Sequence, residues 1–462
     1  MFDVVLLNDV PIEIELSRGI SVYRLATELR KNGYSTFVID YVSFMSIKQL
    51  EKIIAKVVSN KTKLFGVSST WLSKDFKNIK FDSKTLKNII KKYSNKTKLV
   101  IGGAYTYQFL EDDFDHFFIG HSENQIIEFL NTENPPKIID WDRKATQGHF
   151  DFNSSSTEFT DIDVLHPDEI LGLETSRGCI FNCAFCNFIH RGQNTKNFMK
   201  YEDTLYNELL YNYKKFGITR YAIIDDTFND YTEKLVKIKS VVDRLPFQPI
   251  FWAYIRFDII DAHPEQAQLL YDIGVRSAMH GLETWNDDTT KIIKKGNKQR
   301  KINGMKKAKE IWKDDVYINC FYIVGLPKDT TQDVFDFIDF YKQGGYKYID
   351  NITAFPLYLR NLNKQQSKYA EQSEIEKNKE NYGYTMIGDK DWIRNDEGDI
   401  TSFSQAKELA TYINDKCRLQ KPNKLWSWHL YADRLKIDKN VATKHFFDKV
   451  YYKNLCEVIN GF

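Results

Sequence analysis

Residues 174–188 read ETSRGCIFNCAFCNF and continue from ILGLETS (170–176), whose length and apolar start are those of a buried strand. Cys179, Cys183 and Cys186 stand in this loop at C-x3-C-x2-C spacing, so three of the chain's six cysteines fall within eight consecutive positions. In a chain of 462 residues that crowding suits metal ligation better than a disulfide framework, and it implies a reducing compartment. A purely electron-transferring cluster normally takes four thiolates, so a four-iron cluster held by these three keeps one iron open to another ligand. A zinc knuckle completed by His190, four residues after Cys186, is the alternative.

Outward from this loop, five further apolar runs follow at helical separations: RYAIID (220–225), PIFWAYIR (249–256), VRSAMHGLE (275–283), VYINCFYIVG (316–325) and YIDNITAF (348–355). Six βα units are too few for a closed eight-stranded barrel, so residues 169–358 are predicted to form a partial (β/α)6 TIM-like barrel with its chemistry at the carboxyl ends of the strands. Asp225 and Asp226 end the second run, Arg256 the third and Glu283 the fourth, and Gly325, Leu326 and Pro327 close the fifth. Adjacent carboxylates at a strand end point different ways, so one can accept hydrogen bonds from a ligand while the other caps a helix, or both can cap. Arg256 can pair a ligand carboxylate or make a structural ion pair.

Upstream, DVVLLN (3–8), STFVID (35–40), KLFGVSS (63–69), KLVIGG (98–103) and DHFFIG (115–120) alternate with amphipathic stretches such as SVYRLATELRKNG (21–33). Residues 1–135 are therefore predicted to be a doubly wound, Rossmann-like or flavodoxin-like parallel sheet. Ligands of such sheets bind beyond the strands' carboxyl ends, here Asn8–Gly19, Ser68–Trp71, Gly102–Ala104 and Gly120–Glu123. Pro135, Pro136 and the polar run DFNSSSTEFTDID (151–163) mark 136–168 as a linker. Residues 359–462, polar and Lys/Asn-rich before helical patterning returns at 403–419, are expected to be mostly helical and to cover the substrate. Hydrophobic residues at 42% and charged residues at 28% fit a folded globular chain. Lys+Arg at 65 against Asp+Glu at 63 gives no field that would draw nucleic acid or an anionic membrane. No apolar run has membrane-spanning length and MFDVVLLND has no basic start, so the expected location is cytoplasmic.

The cysteine segment resembles the signature of the radical S-adenosylmethionine (radical SAM) superfamily, C-x3-C-x-Φ-C, with Phe185 at the aromatic position. The resemblance implies a 4Fe-4S cluster on Cys179, Cys183 and Cys186 whose fourth iron chelates the amino and carboxylate groups of S-adenosyl-L-methionine, with Phe185 flanking the adenine. One electron then cleaves a carbon-sulfur bond, giving methionine and a 5′-deoxyadenosyl radical that takes hydrogen from the substrate; the cofactor carries the hard chemistry. RYAIIDDTFND resembles the family's second-strand segment, which places Asp225 and Asp226 near cofactor or substrate. GLETWNDDTTKIIKKGNK (281–298) resembles the fourth-strand segment of the methylthiotransferase-like branch, which brings Glu283 to the ribose. FYIVGLPKDT (321–330) resembles the fifth-strand segment, where Gly325, Leu326 and Pro327 let backbone approach the adenine; Asp329 departs from the family's usual Gly or Glu. Tyr254 and Cys320, on the barrel strands, are candidates to give hydrogen to a substrate radical.

SRGISVYRLATELRKNGY (17–34) and VIGGAYTYQFLEDDFDHFFIGHSENQIIEFL (100–130) resemble, in order, segments of a cobalamin-binding domain. The resemblance, to the class B methylase-like branch, covers about residues 1–355 and implies cobalamin against Ser68, Ser69, Gly102, Gly103, Gly120 and Glu123. NDVPIEIELSRGI (8–20) lacks the Asp-x-His-x-x-Gly motif, so no imidazole from that loop reaches the cobalt, and His121 replaces a usual acidic residue. The implied activity is a cobalamin-dependent C-methyltransferase acting on an unactivated carbon of a small-molecule or peptide substrate, with flavodoxin or ferredoxin as electron donor. Two alternatives stand beside it: a radical rearrangement, cyclisation or oxidation without cobalamin, and a zinc-knuckle binding protein that presents KLWSWHLYADRL (424–435) to a partner.

Overall fold

The computed structural model describes residues 1–9, 17–70, 82–140, 150–417 and 446–462. Residues 10–16 of the expected ligand loop, Trp71, and the segment KLWSWHLYADRL lie outside the described residues. Among the described residues no helix is long and apolar enough to cross a membrane.

Two all-parallel sheets organise the chain. In the first, β1 (Val4–Leu7), β3 (Thr36–Ile39), β4 (Leu64–Ser68), β5 (Lys98–Gly102), β6 (His116–Phe118) and β7 (Ile138–Ile139) take the order β3-β1-β4-β5-β6-β7. The chain steps from β1 to one side and returns to the other, so the topological switch point lies between β1 and β4. Both faces are buried, which is why these strands read as unbroken apolar runs. Val4 and Leu6 point toward α1 (Ile20–Lys31) and α4 (Glu123–Asn131), while Val5 and Leu7 share a core with α2 (Ile47–Val57), α3 (Ser83–Lys91) and the C-terminal helix Tyr452–Asn460.

The second sheet runs β13-β12-β11-β10-β9-β8-β2. Six of its strands are the expected ones: β8 (Ile170–Leu173), β9 (Arg220–Ile223), β10 (Ile250–Tyr254), β11 (Val275–Glu283), β12 (Tyr317–Val324) and β13 (Asn351–Pro356). The seventh, β2 (Ser17–Arg18), comes from the N-terminal segment and pairs with β8. Arg18 is fixed there by the paired oxygens of Glu169 at 2.8 and 2.9 Å, Tyr23 Oη at 2.9 Å and the Asp163 and Val164 carbonyls at 2.8 and 2.7 Å. The two layers are thus stitched rather than strung on a free linker: β7 extends the first sheet past Pro136, and Phe152 and Phe159 of the expected linker are buried.

Beyond β13 come short helices (Lys364–Tyr369, Glu374–Lys377), the long helix Phe403–Lys416, and an antiparallel hairpin of β14 (Tyr384–Met386) and β15 (Trp392–Arg394) within the expected helical region. The hairpin exists because Trp392 is fully buried: its indole N–H donates to Leu357 O at 2.9 Å and its ring fills the space beside Gly325.

Candidate active site

The cysteine loop leaves β8 at the barrel's carboxyl end. Gly178 turns it at φ +116, where a Cβ would meet the Gln193 carbonyl at 3.1 Å, and the Cys179 N–H donates to His190 O at 3.2 Å. Cys179 Sγ lies 3.5 Å from Thr227 Oγ1, Cys183 Sγ lies 3.7 Å from Lys294 O, and Cys186 Sγ accepts the Phe188 N–H at 3.5 Å. All three are free thiols. Burial pushes Cys186 up to about 12 and raises Cys179, so it is a bound cation that would make thiolates of them. Three thiols at this spacing on one loop are the donor number of a cluster with one open iron, although among the described residues no three such side chains are already drawn together as a metal-ligand group. His190, which the zinc alternative needs, is committed elsewhere: its ring stacks on His121 with centroids 4.8 Å apart and Nε2 atoms 2.5 Å apart.

The rim residues divide. Asp225 is consumed by the stem of the cysteine loop, accepting from Thr175 N at 2.7 Å, Thr175 Oγ1 at 2.5 Å, Ser176 N at 3.1 Å and Ser176 Oγ at 2.7 Å, with Lys234 Nζ at 3.4 Å. Neither ligand acceptor nor helix cap, it aims the loop. Asp226 takes the other direction, and burial together with Asp225 pushes its carboxyl up to about 7. Arg256 forks onto Asp258 at 3.1 and 2.6 Å and stacks 3.6 Å from the Phe181 ring centre, so its partner is a protein carboxylate. Against the upward push of burial, that pairing holds Asp258 down to about 2.

Glu283 sits at φ +69 with its carboxylate folded back over Gly281 and 2.8 Å from Lys295 Nζ. Lys295 also lies 5.6 Å from the Phe185 ring centre, which makes it a site residue that the sequence reading passed over inside its own KKGN segment. Gly325, Leu326 and Pro327 do not offer open backbone. Their carbonyls accept from Tyr384 Oη at 2.7 Å, from Arg394 Nη1 and from Thr289 Oγ1 at 2.6 Å, respectively.

Tyr254 and Cys320 face opposite ways. Tyr254 stays on the inward side of β10, beside Trp252 at 5.4 Å. Cys320 shares the outward face of β12 with Ile318 and Tyr322, is fully buried, and lies 3.9 Å from Met305 Sδ on the helix Lys298–Trp312. Strand alternation puts it in the helix-covered core, away from any substrate.

A cavity of about 190 Å3 lies against the first sheet at the switch point. Leu6, Val22, Val100, Phe118 and Ile126 wall it, Ser68, Gly102, Gly103 and Gly120 line its strand ends, and Arg24, His121, Glu123, Glu174 and Arg177 close one side. The apolar lining with few polar groups is that of a cofactor site. Of the expected contacts, Ser69 is turned away, its hydroxyl 3.2 Å from Thr106 Oγ1. Glu123 lines the cavity but spends its carboxylate on Arg177 of the cysteine loop at 2.5 Å; Arg177 also reaches Glu174 at 3.0 Å, and Arg24 meets Glu174 at 2.9 Å. No local signal in the sequence announces this bridge, because its ends are 54 positions apart.

The family model of the Radical SAM superfamily matches residues 173–341. A protein of Methanocaldococcus jannaschii named as a methylthiotransferase is 28% identical over 173 residues, a match that takes in 35% of this chain and 36% of the relative's length. Among solved structures, the radical S-adenosylmethionine methyltransferase TsrM of Kitasatospora setae, with cobalamin and a 4Fe-4S cluster bound, superposes over 84% of this chain and 77% of its own at 16% identity and TM-score 0.57. The cobalamin-dependent S-adenosylmethionine radical enzyme OxsB, with aqua-cobalamin and S-adenosylmethionine bound, does so over 82% of this chain and 56% of its own, at 15% identity and TM-score 0.54. At these identities the two structures share the fold, an N-terminal doubly wound domain followed by a partial barrel.

Proposed function

We propose, for a chain whose residues 173–341 belong to the radical SAM superfamily and which is thereby a radical SAM enzyme, that it is a cobalamin-dependent methyltransferase acting on an unactivated carbon. The observation that carries this reading is the switch-point cavity, which shares Glu174, Arg177 and Ile224 with the barrel rim and so opens beside the cysteine loop. The cavity residues would hold cobalamin, which would supply a methyl carrier, beside the cysteine loop that would hold the cluster and S-adenosylmethionine for radical chemistry.

The chain's own part is placement. Cys179, Cys183 and Cys186 would hold the cluster, and Asp225, by taking four hydrogen bonds from Thr175 and Ser176, sets the direction in which their loop leaves the barrel. Phe185 and Lys295 would border the S-adenosylmethionine adenine and carboxylate, with Asp226 and Glu283 on the same rim. Ser68, Gly102, Gly103 and Gly120 would meet the corrinoid from the first sheet. The reading is supported by the names of the similar proteins, a methylthiotransferase and a methyltransferase among them. The electron would come from a flavodoxin- or ferredoxin-type donor, and the substrate is a small molecule or a peptide.

The test is anaerobic reconstitution with iron, sulfide and hydroxocobalamin, then desalting and an absorption spectrum. Retained iron-thiolate and corrin bands are expected together. A protein that keeps the iron-thiolate band and loses all corrin would refute the cobalamin assignment while leaving the radical chemistry standing.

A further inference from the structure

Inward side chains of the barrel strands stack in layers that the pairing register defines. The lowest joins Trp252, Ser277 and Tyr317, which are 6%, 0% and 2% exposed and form a floor. In the next, Tyr254, Met279, Asn319 and Asn351 stand in register; above them come Gly281, Phe321 and Thr353. Asn319 Oδ1 accepts from Asn351 Nδ2 at 2.8 Å and from Thr353 Oγ1 at 3.3 Å, and among the described residues Asn319 Nδ2 reaches only a thioether, Met279 Sδ, at 3.5 Å. Aromatic pairs stand on both sides: Trp252 with Tyr254 at 5.4 Å, and Phe321 with Phe355 at 6.4 Å. Tyr254, Met279, Asn351, Thr353 and Phe321 are all partly exposed, so the space above the floor is reachable.

None of these layers carries a formal charge. At the rim, Arg256 is paired with Asp258 and Lys295 with Glu283. A carboxylate, phosphate or ammonium carried below the rim would lose its hydration and, among the described residues of these layers, meet no counter-ion. A flat neutral group would instead meet aromatic faces and amides with hydrogen-bonding capacity to spare, since a thioether is a weak acceptor.

We infer that the portion of the substrate entering the barrel, with the carbon that reacts, is an uncharged, flat, hydrogen-bonding group such as an aromatic amide or a nitrogen heterocycle, seated between Tyr254 and Phe321 over the Asn319–Asn351–Thr353 trio. This rests on the radical SAM methyltransferase reading. Saturation-transfer NMR on the anaerobically reconstituted enzyme with S-adenosylmethionine, using benzamide, benzoate and benzylammonium as probes, tests it. Benzamide is expected to bind, with both charged probes weaker by roughly tenfold or more. Asn351→Asp puts a carboxylate in the lumen and is expected to weaken benzamide and strengthen benzylammonium by roughly tenfold; Thr353→Asp does the same from the layer above if the first variant fails to keep its cluster band. Charged probes that match benzamide, no benzamide signal up to its solubility, or an order of binding that neither variant changes would overturn the inference. Deoxyadenosine release on adding dithionite, read in the same samples, reports separately on the radical chemistry.

Discussion

Arg177, two residues ahead of Cys179, donates from Nη2 to Glu123 Oε1 across 2.5 Å, joining the cluster loop of one sheet to the first turn of a helix on the other. Both side chains are almost wholly buried, at 5% and 6% exposure. The wall of the first domain's cavity and the loop meant for the cluster therefore share one ion pair.

Removing one end of that pair leaves the other buried and only partly compensated by Glu174. Glu123→Ala is expected to destabilise the fold by about 3 kcal/mol, and Glu123→Gln, which keeps an acceptor, by less. Urea denaturation compared between the variants checks the order, and iron content per chain checks that the loop is disturbed.

His280 gives a pH dependence with a definite sign. It is fully buried, its Nδ1 lies 3.0 Å from Ile255 O, and burial with nearby Lys295 and Lys301 pulls it down to about 3. An unfolded histidine takes its proton near pH 6.5, roughly, so between there and the folded value the unfolded state binds more protons and stability falls as pH falls. His280→Phe should gain on the parent by up to about 1.4 kcal/mol per pH unit below that point, measured by denaturation at neutral pH and at pH of about 5. A difference that does not change with pH would contradict the buried neutral ring.

Cys320→Ala should leave the iron-thiolate band and S-adenosylmethionine cleavage intact while costing about 1 kcal/mol of stability, because it removes a core atom and no reacting group. Deoxyadenosine release within about twofold of the parent, alongside a lower urea midpoint, is the expected pair of results.

Gly325→Ala is expected to be severe. The residue sits at φ +90, and a Cβ would come within 2.7 Å of Trp392 Cη2, a ring held by Leu357 O. Backbone strain and the displaced indole together should cost about 2–4 kcal/mol. The paired variant Trp392→Ala with Gly325→Ala should recover part of the overpacking term, read as non-additivity in a double-mutant cycle.

The sequence made some of this legible and hid the rest for physical reasons. The cysteine spacing and all six barrel strands could be read because ligand spacing and apolar periodicity are local. The side on which Cys320 lies could not, since YINCFYIV has apolar residues on both faces and its single polar residue, Asn319, makes no alternation that would betray the orientation of a strand covered on both sides. Arg256 and Asp258 stand within three residues, yet whether the guanidinium turns to its neighbour or to a ligand is a rotamer choice set by Phe181 stacking. The hairpin over Gly325 and the Glu123–Arg177 bridge rest on contacts distant in sequence, and no window of the chain contains both ends.

The most direct measurement of the central claim is the simultaneous quantification of S-adenosylhomocysteine and 5′-deoxyadenosine from enzyme reconstituted with iron, sulfide and hydroxocobalamin, reduced anaerobically with S-adenosylmethionine. The account predicts that both accumulate, one from loading the methyl carrier and one from making the radical. Deoxyadenosine without any S-adenosylhomocysteine would contradict methyl transfer.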